Sequence, residues 1–464
     1  MKIFNTMTRC KQDLVPIEEG VYRIYVCGPT VYNFIHIGNA RPVVVFDVLR
    51  RYLEYRDNRV LFVSNITDID DKLIQKAIAE GTSMQEVARR YEAEYFTDLD
   101  GLGVERATVH PRATEHIDEI LSIVADILEK GYGYIAENGD VYFRAKKFEG
   151  YGKLSHLVLE DLVSGNRDLK SSLAEDLKED PADFAVWKAA KPGEPYWESP
   201  YGNGRPGWHI ECSAMARKHL GKTIDIHAGG EDLIFPHHEN EIAQSECANG
   251  CTFSNYWMHN AFLNIDSHKM SKSAGNFFTV REISAVYGYE AIRYFMLTGH
   301  YRSPLNYTAE LLEACKAALE RLYTCRANLA FAVQNGGGAS EILAQKAAVA
   351  KSKFCLAMDD DLNTVEALAA IFDFVRDVNT LCADASPAAL EIAATVFDEL
   401  TGVLGIVQHR ETSETPADVL ALVEERTAAK AAKNWARADE IRAELAEKGF
   451  AVEDTAQGPK ISRK

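Results

Sequence analysis

The stretch from Gly207 to Gln244 holds a single cysteine, Cys212, and about two dozen residues later a histidine pair, His237 and His238, ahead of Glu241. A thiolate, an imidazole and a carboxylate together suit zinc. His237 and Glu241 are four residues apart, so on a helix they stand one above the other on one face. The same spacing also serves an ordinary surface pair or a helix-start contact. Cys247 and Cys251, likewise four apart, offer a rival pair, but the CANGC around them contains Asn-Gly and reads as a loop. A second group with chemical potential is GPTVYNFIHIGNARP, residues 28–42. It lies between a short apolar run, VYRIYVC, and a helical stretch expected from about Val43 to Tyr55. Strand, Gly/Pro-rich turn and helix make the opening of a nucleotide-binding α/β unit. The helix start turns backbone N–H groups toward an anion. His36 and Asn39 add side-chain donors there, and Gly38 lets a ligand approach the backbone closely. The alternative is a plain strand-to-helix turn. A third group is Lys269 and Lys272, set in Ser- and Gly-containing loop sequence where solvated lysines are the ordinary outcome.

The elements that must position these groups can be read in outline. Arg59 to Ser64 is a second strand, and it runs into NITDIDDK. Asp68, Asp70 and Asp71 there suit either a ligand site or a helix N-cap cluster. Thr223 to His227 is a further strand, running into Gly229-Gly230-Glu231-Asp232. Ligands in open α/β sheets collect at the carboxyl ends of the strands, and Cys27 ends the first one. Helices are expected over Asp71–Ala79, Ser83–Leu99, His116–Lys130 and Glu160–Gly165. Asn138-Gly139 makes the turn of a hairpin in YIAENGDVYF. Residues 120–198 read as an insertion between two halves of a nucleotide-binding domain. From Thr308 the apolar residues recur at three and four, giving a helical bundle to about 406, with a dimerisation bundle as the alternative. Beyond a polar linker, Arg426, Lys430, Lys433 and Arg437 follow at spacings of four, three and four. On one helix face they would track phosphates, with Trp435 nearby for stacking. A solvated helix face is the competing reading.

Composition sets the frame. At 464 residues and 47% apolar content the chain can bury several cores. No apolar run approaches the ~20 residues needed to span a bilayer. The N-terminus has charges where a signal peptide needs an apolar stretch, so a cytoplasmic protein is expected. Nine scattered cysteines argue for reduced thiols. The net charge of −18 does not suggest a nucleic-acid partner, but a partner meets only one face.

HIGN at 36–39 resembles the first signature of class I aminoacyl-tRNA synthetases, and Lys269-Met270-Ser271-Lys272-Ser273 their second. With YVCGPTVY, NITDIDDK, GWHIECSAM and FPHHENEIAQ, the chain resembles the cysteinyl-tRNA synthetase family over nearly its whole length. Asn39 departs from the second histidine of that signature; it keeps a donor but cannot be cationic. The resemblance implies an α/β fold: a Rossmann-like, doubly wound parallel catalytic domain with a connective insertion, then a helical bundle and a small anticodon-binding domain. The expected divisions are 1–119 and 199–250 for the catalytic halves, 120–198 for the connective peptide, 251–307 for the region carrying KMSKS, 308–406 for the bundle and 407–464 for the anticodon-binding end. It also implies one zinc ion on Cys27, Cys212, His237 and Glu241. Thr67 and Trp208 would line the cysteine pocket with Cys27 and His237. Gly38, Gly229, Gly230, Asp232 and Lys272 would hold ATP, which brings magnesium to share its charge, and His36, Asn39, Lys269 and Lys272 would serve catalysis. Cysteine, ATP and cysteine tRNA are the implied partners, no membrane is involved, and a monomer is the simplest assembly. Two other functions fit parts of the pattern: a ligase joining cysteine to an amino-sugar, which needs no anticodon-binding tail, and a non-catalytic zinc- and nucleotide-binding regulator.

Zinc has a physical purpose in such a pocket. Cysteine and serine are near-isosteres, and a pocket reading volume separates such pairs by only ~1–3 kcal/mol. Zinc reads softness, and it favours the thiolate at neutral pH. A hydrolytic editing site then becomes unnecessary. Lys272→Ala is expected to lower adenylate formation by at least ~100-fold, the scale of one preorganised charge contact; pyrophosphate exchange measures it, and a loss confined to tRNA binding would reject the role.

Overall fold

The computed structural model describes residues 1–157, 177–265, 268–269, 278–408, 416–455 and 458–463. The helix expected over Glu160–Gly165 and the residue Lys272 lie outside them. Two compact units emerge: residues 1–316 with 357–365, and residues 317–356 with 366–464.

The first unit opens with a hairpin, β1 (Lys2–Asn5) and β2 (Cys10–Asp13). Strand β3 (Val21–Val26) follows, then helix α1 (Ile37–Tyr55), strand β4 (Arg59–Ser64) and helices α2 (Asp71–Glu80), α3 (Met84–Gly101) and α4 (Ile117–Glu129). The helix expected from Val43 begins six residues earlier. Pro42 therefore lies inside α1. Lacking an N–H, it leaves the carbonyl of Gly38 without its helical partner. Strands β5 (Gly133–Ile135), β6 (Val141–Phe143), β7 (Phe184–Ala189) and β8 (Gly204–Pro206) form an antiparallel sheet in sequence order. Gly139 turns the first hairpin with φ 88°, the left-handed region a glycine enters without steric cost.

Helix α5 (Trp208–Leu220), strand β9 (Ile224–Gly230), helix α6 (Glu239–Asn249) and strand β10 (Ser254–Asn260) complete the central layer. Its sheet runs β10-β9-β3-β4, with every pairing parallel. The register sets Val26 beside both Ala228 and Ser64, so the carboxyl ends of the strands finish level. Ile24, Tyr25, Val60, Val63, Ile224 and Ile226 are buried. Such near-continuous apolar strands mark a parallel sheet covered on both faces. The expected division at 250 falls before β10, which belongs to this sheet. Cys247 lies in α6 rather than in a loop, while Cys251 follows the helix end.

A three-stranded sheet follows, ordered β12-β11-β13: β11 (Leu263–Ile265), β12 (His268–Lys269) and β13 (Leu305–Tyr307), with α7 (Val280–Tyr287) and α8 (Tyr289–Leu297) between the last two. The polar centre of this unit is Asp47 on α1. Its carboxylate takes Arg51 Nε at 2.8 Å, the Glu105 N–H at 2.8 Å and Arg293 Nη2 of α8, and both Asp47 and Arg293 are buried.

Helices α9 (Ala309–Asn335), α10 (Ile342–Asp359), α11 (Thr364–Leu381) and α12 (Pro387–Leu404) supply the expected helices between 308 and 406. The turn between α10 and α11 belongs to the first unit. There Asp361 is buried and accepts from Phe4 N–H, Tyr301 Oη and Arg302 Nε, each at 2.7 Å. The chain ends with α13 (Ala417–Ala431), α14 (Trp435–Glu447) and the hairpin β14 (Phe450–Thr455) and β15 (Gly458–Arg463), packed on Val419, Val423, Ile441 and Leu445. The four cations expected on one helical face are not so placed. The helix breaks at Ala432–Asn434, where Lys433 has φ 58°, and Arg437 starts on the next helix. Arg426 and Lys430 both pair with Asp454, and Arg437 pairs with Glu425 and Glu440. No described helix is long and apolar enough to cross a membrane.

Removing Asp47 leaves Arg293 buried without a counter-charge. Asp47→Ala is expected to lower stability by roughly 3–5 kcal/mol, measured by denaturant unfolding of the first unit's signals; a loss below about 1 kcal/mol would show that Arg293 is satisfied by carbonyls alone.

Candidate metal centre and nucleotide cavity

The level ends of β3, β4, β9 and β10 bring distant residues together. Cys27 follows β3 directly, and its N–H donates to the Ala228 carbonyl at 3.2 Å. Asn65 follows β4, and its side chain ties the neighbourhood together. Oδ1 accepts the Gly28 N–H at 2.9 Å and faces the Cys212 sulfur at 3.7 Å. Its amide nitrogen donates to Thr67 Oγ1 at 3.2 Å, and that hydroxyl donates to Glu211 Oε2 at 3.1 Å. A Cβ on Gly28 would fall 1.7 Å from the Asn65 carbonyl oxygen. Only glycine allows this approach.

Glu241, on the first turns of α6, is the centre of the cluster and is 0% exposed. His227 Nε2 reaches its Oε2 at 2.9 Å, His237 Nε2 its Oε1 at 3.0 Å, and Cys27 Sγ the same Oε1 at 3.5 Å. Burial pushes this carboxyl's pKa up, but the charges of His227 and His237 outweigh it and bring it to about 2. For His237, burial favours the neutral ring, yet Glu241 and Cys212 raise its pKa to about 10. The two thiols divide. Burial, then Cys212 and Glu241, hold Cys27 well above the usual thiol range. Cys212 is also raised by burial, but hydrogen bonds with Cys27 and His237 bring it down to about 6.

The donor atoms of Cys27, Cys212, His237 and Glu241 all lie within 4.8 Å of one another. The two sulfurs are 3.8 Å apart. Sulfurs at ~2.3 Å from a tetrahedral ion would also stand about 3.8 Å apart, and a sulfur and a carboxylate oxygen about 3.6 Å. The set therefore fits a zinc ion in both chemistry and spacing. A second set, Cys27, His227, His238 and Glu241, meets the same distance limit and shares two members with the first. It holds one thiol instead of two. Around both sets lies a shell of imidazoles. His209 Nδ1 meets His237 Nδ1 at 2.9 Å, His238 Nε2 meets Cys27 Sγ at 3.3 Å, and His238 Nδ1 meets His259 Nε2 at 2.8 Å.

A cavity of about 430 Å³ opens beside the cluster. Cys27 and Trp208 line one part of it; His36, Gly38 and Asn39 enter from α1, and Gly230 and Asp232 from the end of β9. Trp208 also lies over His237, with ring centroids 4.4 Å apart. Asn39 Oδ1 accepts the His36 N–H at 3.2 Å, so the amide N–H groups are what Asn39 offers the cavity. Thr67 and His237 are buried and Gly229 stands off the cavity wall. An added Cβ on Gly229 would meet Leu233 at 2.9 Å and the His238 ring at 3.1 Å. Lys269 is placed by its backbone in β12. Asn65, His227, His259 and Glu211 were not singled out by sequence reasoning, and His238 figured only as the neighbour of His237. The available signal for His227 was an imidazole near the carboxyl end of a strand, ahead of a glycine turn.

Comparisons with known proteins agree along the chain. The model for the class I (C) tRNA synthetase catalytic domain matches residues 13–317, a DALR domain 353–408, and a cysteinyl-tRNA ligase anticodon binding domain 412–459. The cysteine–tRNA ligase of Caldicellulosiruptor saccharolyticus is 53% identical, and that of Clostridioides difficile 52%, each over the full length of both chains. Among solved structures, a Mycobacterium tuberculosis methionyl-tRNA synthetase in complex with methionyl-adenylate superposes with a TM-score of 0.61 at 16% identity, covering 83% of this chain and 89% of that one. A leucyl-tRNA synthetase from Agrobacterium radiobacter gives 0.59 at 11% identity, covering 85% of each. These two share the fold.

Gly28→Ala is expected to push the Cys27 turn away from Asn65 and weaken zinc binding by about 10–100-fold, the range for disturbed support of a metal ligand. Competition with a chelator of known affinity measures it; unchanged affinity would show that the turn adapts.

Proposed function

We propose a mechanism from one premise: this chain belongs to the cysteine–tRNA ligase family, and it joins cysteine to its tRNA in an ATP-dependent reaction. The match to an anticodon-binding model at residues 412–459 distinguishes it from ligases of cysteine with amino-sugars. Cys27, Cys212, His237 and Glu241 hold zinc, one ion per chain. The 3.8 Å separation of the two sulfurs carries this reading over the one-thiol set. Bound there, zinc supplies a soft Lewis acid that takes cysteine's sulfur and not serine's oxygen.

The chain's own groups then orient the reaction. Trp208 closes the amino-acid end of the cavity over His237, and Thr67, held by Asn65 and Glu211, fixes the strand end beside it. Cysteine's carboxylate attacks the α-phosphorus of ATP, and pyrophosphate leaves. The work of this step is positioning and charge stabilisation. His36 and Asn39, at the start of α1, donate to the phosphates, reinforced by the helix's own N–H groups. Gly38, Gly229, Gly230 and Asp232 shape the nucleotide's place, while Lys269 and Lys272, with the magnesium that accompanies ATP, balance phosphate charge. The terminal ribose hydroxyl of the tRNA next attacks the cysteinyl carbonyl, and AMP leaves. The enzyme acts as a cytoplasmic monomer, with 1–119 and 199–260 serving as the catalytic halves, 120–198 as the connective peptide and the later parts as tRNA-binding regions.

Chelation of zinc is expected to lower cysteine-dependent ATP–pyrophosphate exchange and tRNA charging by at least ~100-fold, with recovery on adding zinc back. Metal-free protein that still activates cysteine and refuses serine would overturn the proposal.

A further inference from the structure

Arg41 is a buried guanidinium with no carboxylate of its own. It lies on α1 two residues beyond Asn39 and is 0% exposed. Among the described residues no carboxylate stands within ion-pair distance of it. Its Nη1 donates instead to the carbonyls of Ala261 at 2.7 Å and Phe262 at 2.8 Å, and its Nη2 to those of His300 at 3.1 Å and Ser303 at 2.5 Å. Burial draws its pKa down to about 10, with the charge of Glu231 acting the other way. Placing a cation so deep is costly unless its donors are used; the four terminal N–H groups each meet a carbonyl, and the buried Nε has no partner among the described residues. Only a planar fork supplies two pairs of donors at fixed angles; a lysine ammonium does not.

Glu231 completes the arrangement. It follows Gly230 at the end of β9, and its Oε1 accepts the Phe262 N–H at 2.9 Å. Phe262 is therefore held by its N–H from a carboxylate and by its carbonyl from a guanidinium. Ala261, Phe262 and Leu263 form the wall of the 430 Å³ cavity that faces Gly38 and Asn39. We propose that Arg41 and Glu231 are positioning residues that act as one clamp on the Phe262 peptide and so fix the width of the ATP cavity. Arg41 ties the helix carrying His36 and Asn39 to this wall, and Glu231 ties the wall to the Gly229–Gly230 turn. Neither touches the substrate. The proposal rests on the reading of this cavity as the ATP site.

The test uses the full-length zinc-loaded protein and the variants Arg41→Lys, Glu231→Met and the pair together. Pyrophosphate exchange is followed against ATP and against cysteine, alongside melting temperature and bound zinc. Each single change is expected to raise the KM for ATP by at least about tenfold, because a small misplacement of binding groups is amplified in the reacting geometry. The KM for cysteine should stay within about twofold and zinc content unchanged. The double variant should be no worse than the worse single, since both act through one peptide. Additive effects, or KM values for ATP and cysteine that rise together, would overturn the clamp. Glu231→Met keeps the side chain's length at a half-buried position but offers the Phe262 N–H no oxygen acceptor, so it decides the matter even where Arg41→Lys fails to fold: a wild-type KM for ATP in that variant refutes the proposal. Should the unmodified chain show no exchange, the catalytic reading falls, and calorimetric titration of the same variants with ATP still reads the clamp.

Discussion

A carboxylate with no exposure to water governs the architecture around it. Glu241 sits at the amino-terminal end of α6, where the helix favours negative charge, but that alone does not offset desolvation. Its two oxygens are met by His227 on one side and by His237 and Cys27 on the other. Each of these partners arrives from a different part of the chain. His227 requires β9 in its register beside β3; Cys27 requires the turn after β3; His237 requires the segment leading into α6. The parallel sheet is what makes those arrivals simultaneous, because its strand ends finish level. A divalent cation at the same point would relieve the burial of the carboxylate and the crowding of two sulfurs together.

The same logic separates two regions. The Cys212 thiol and the imidazoles of His227, His237 and His238 are buried, while at the helix start of α1 His36 and Asn39 meet the open cavity. The connection between them is short and stiff: Gly28 is pinned to Asn65, and Asn65 to Thr67. In the carboxyl-terminal part the described cations are largely matched by acids, with Asp454 taking both Arg426 and Lys430. Such pairing restrains nonspecific attraction to nucleic acid and leaves specificity to shape and base contacts.

Much of this was legible in residue types and spacing. The set Cys27, Cys212, His237 and Glu241 was legible through the family resemblance, spacing alone leaving an ordinary surface pair open, and the structure brings the four donors together. The strand–turn–helix unit was visible, although Pro42 displaced its expected start; proline reads as a boundary, yet α1 runs through it and gives up one hydrogen bond. His227 and His259 were not legible as part of the centre, because a strand sequence alone does not say which face a side chain takes or what stands across the sheet. Asn65 was hidden for a related reason: its importance lies in a backbone N–H and a hydroxyl it reaches, and neither leaves a mark in the sequence. The basic tail failed in the opposite direction. Its spacing was right for one helix face, but a left-handed residue at Lys433 divides the helix.

The central claim is that a metal ion distinguishes sulfur from oxygen by direct contact. Zinc K-edge X-ray absorption on the zinc-loaded protein reads this contact without relying on turnover. With the sulfurs of Cys27 and Cys212 as ligands, the spectrum should show two sulfur neighbours, rising to three on adding cysteine and staying at two on adding serine. A sulfur count that does not change when cysteine is bound would contradict the account.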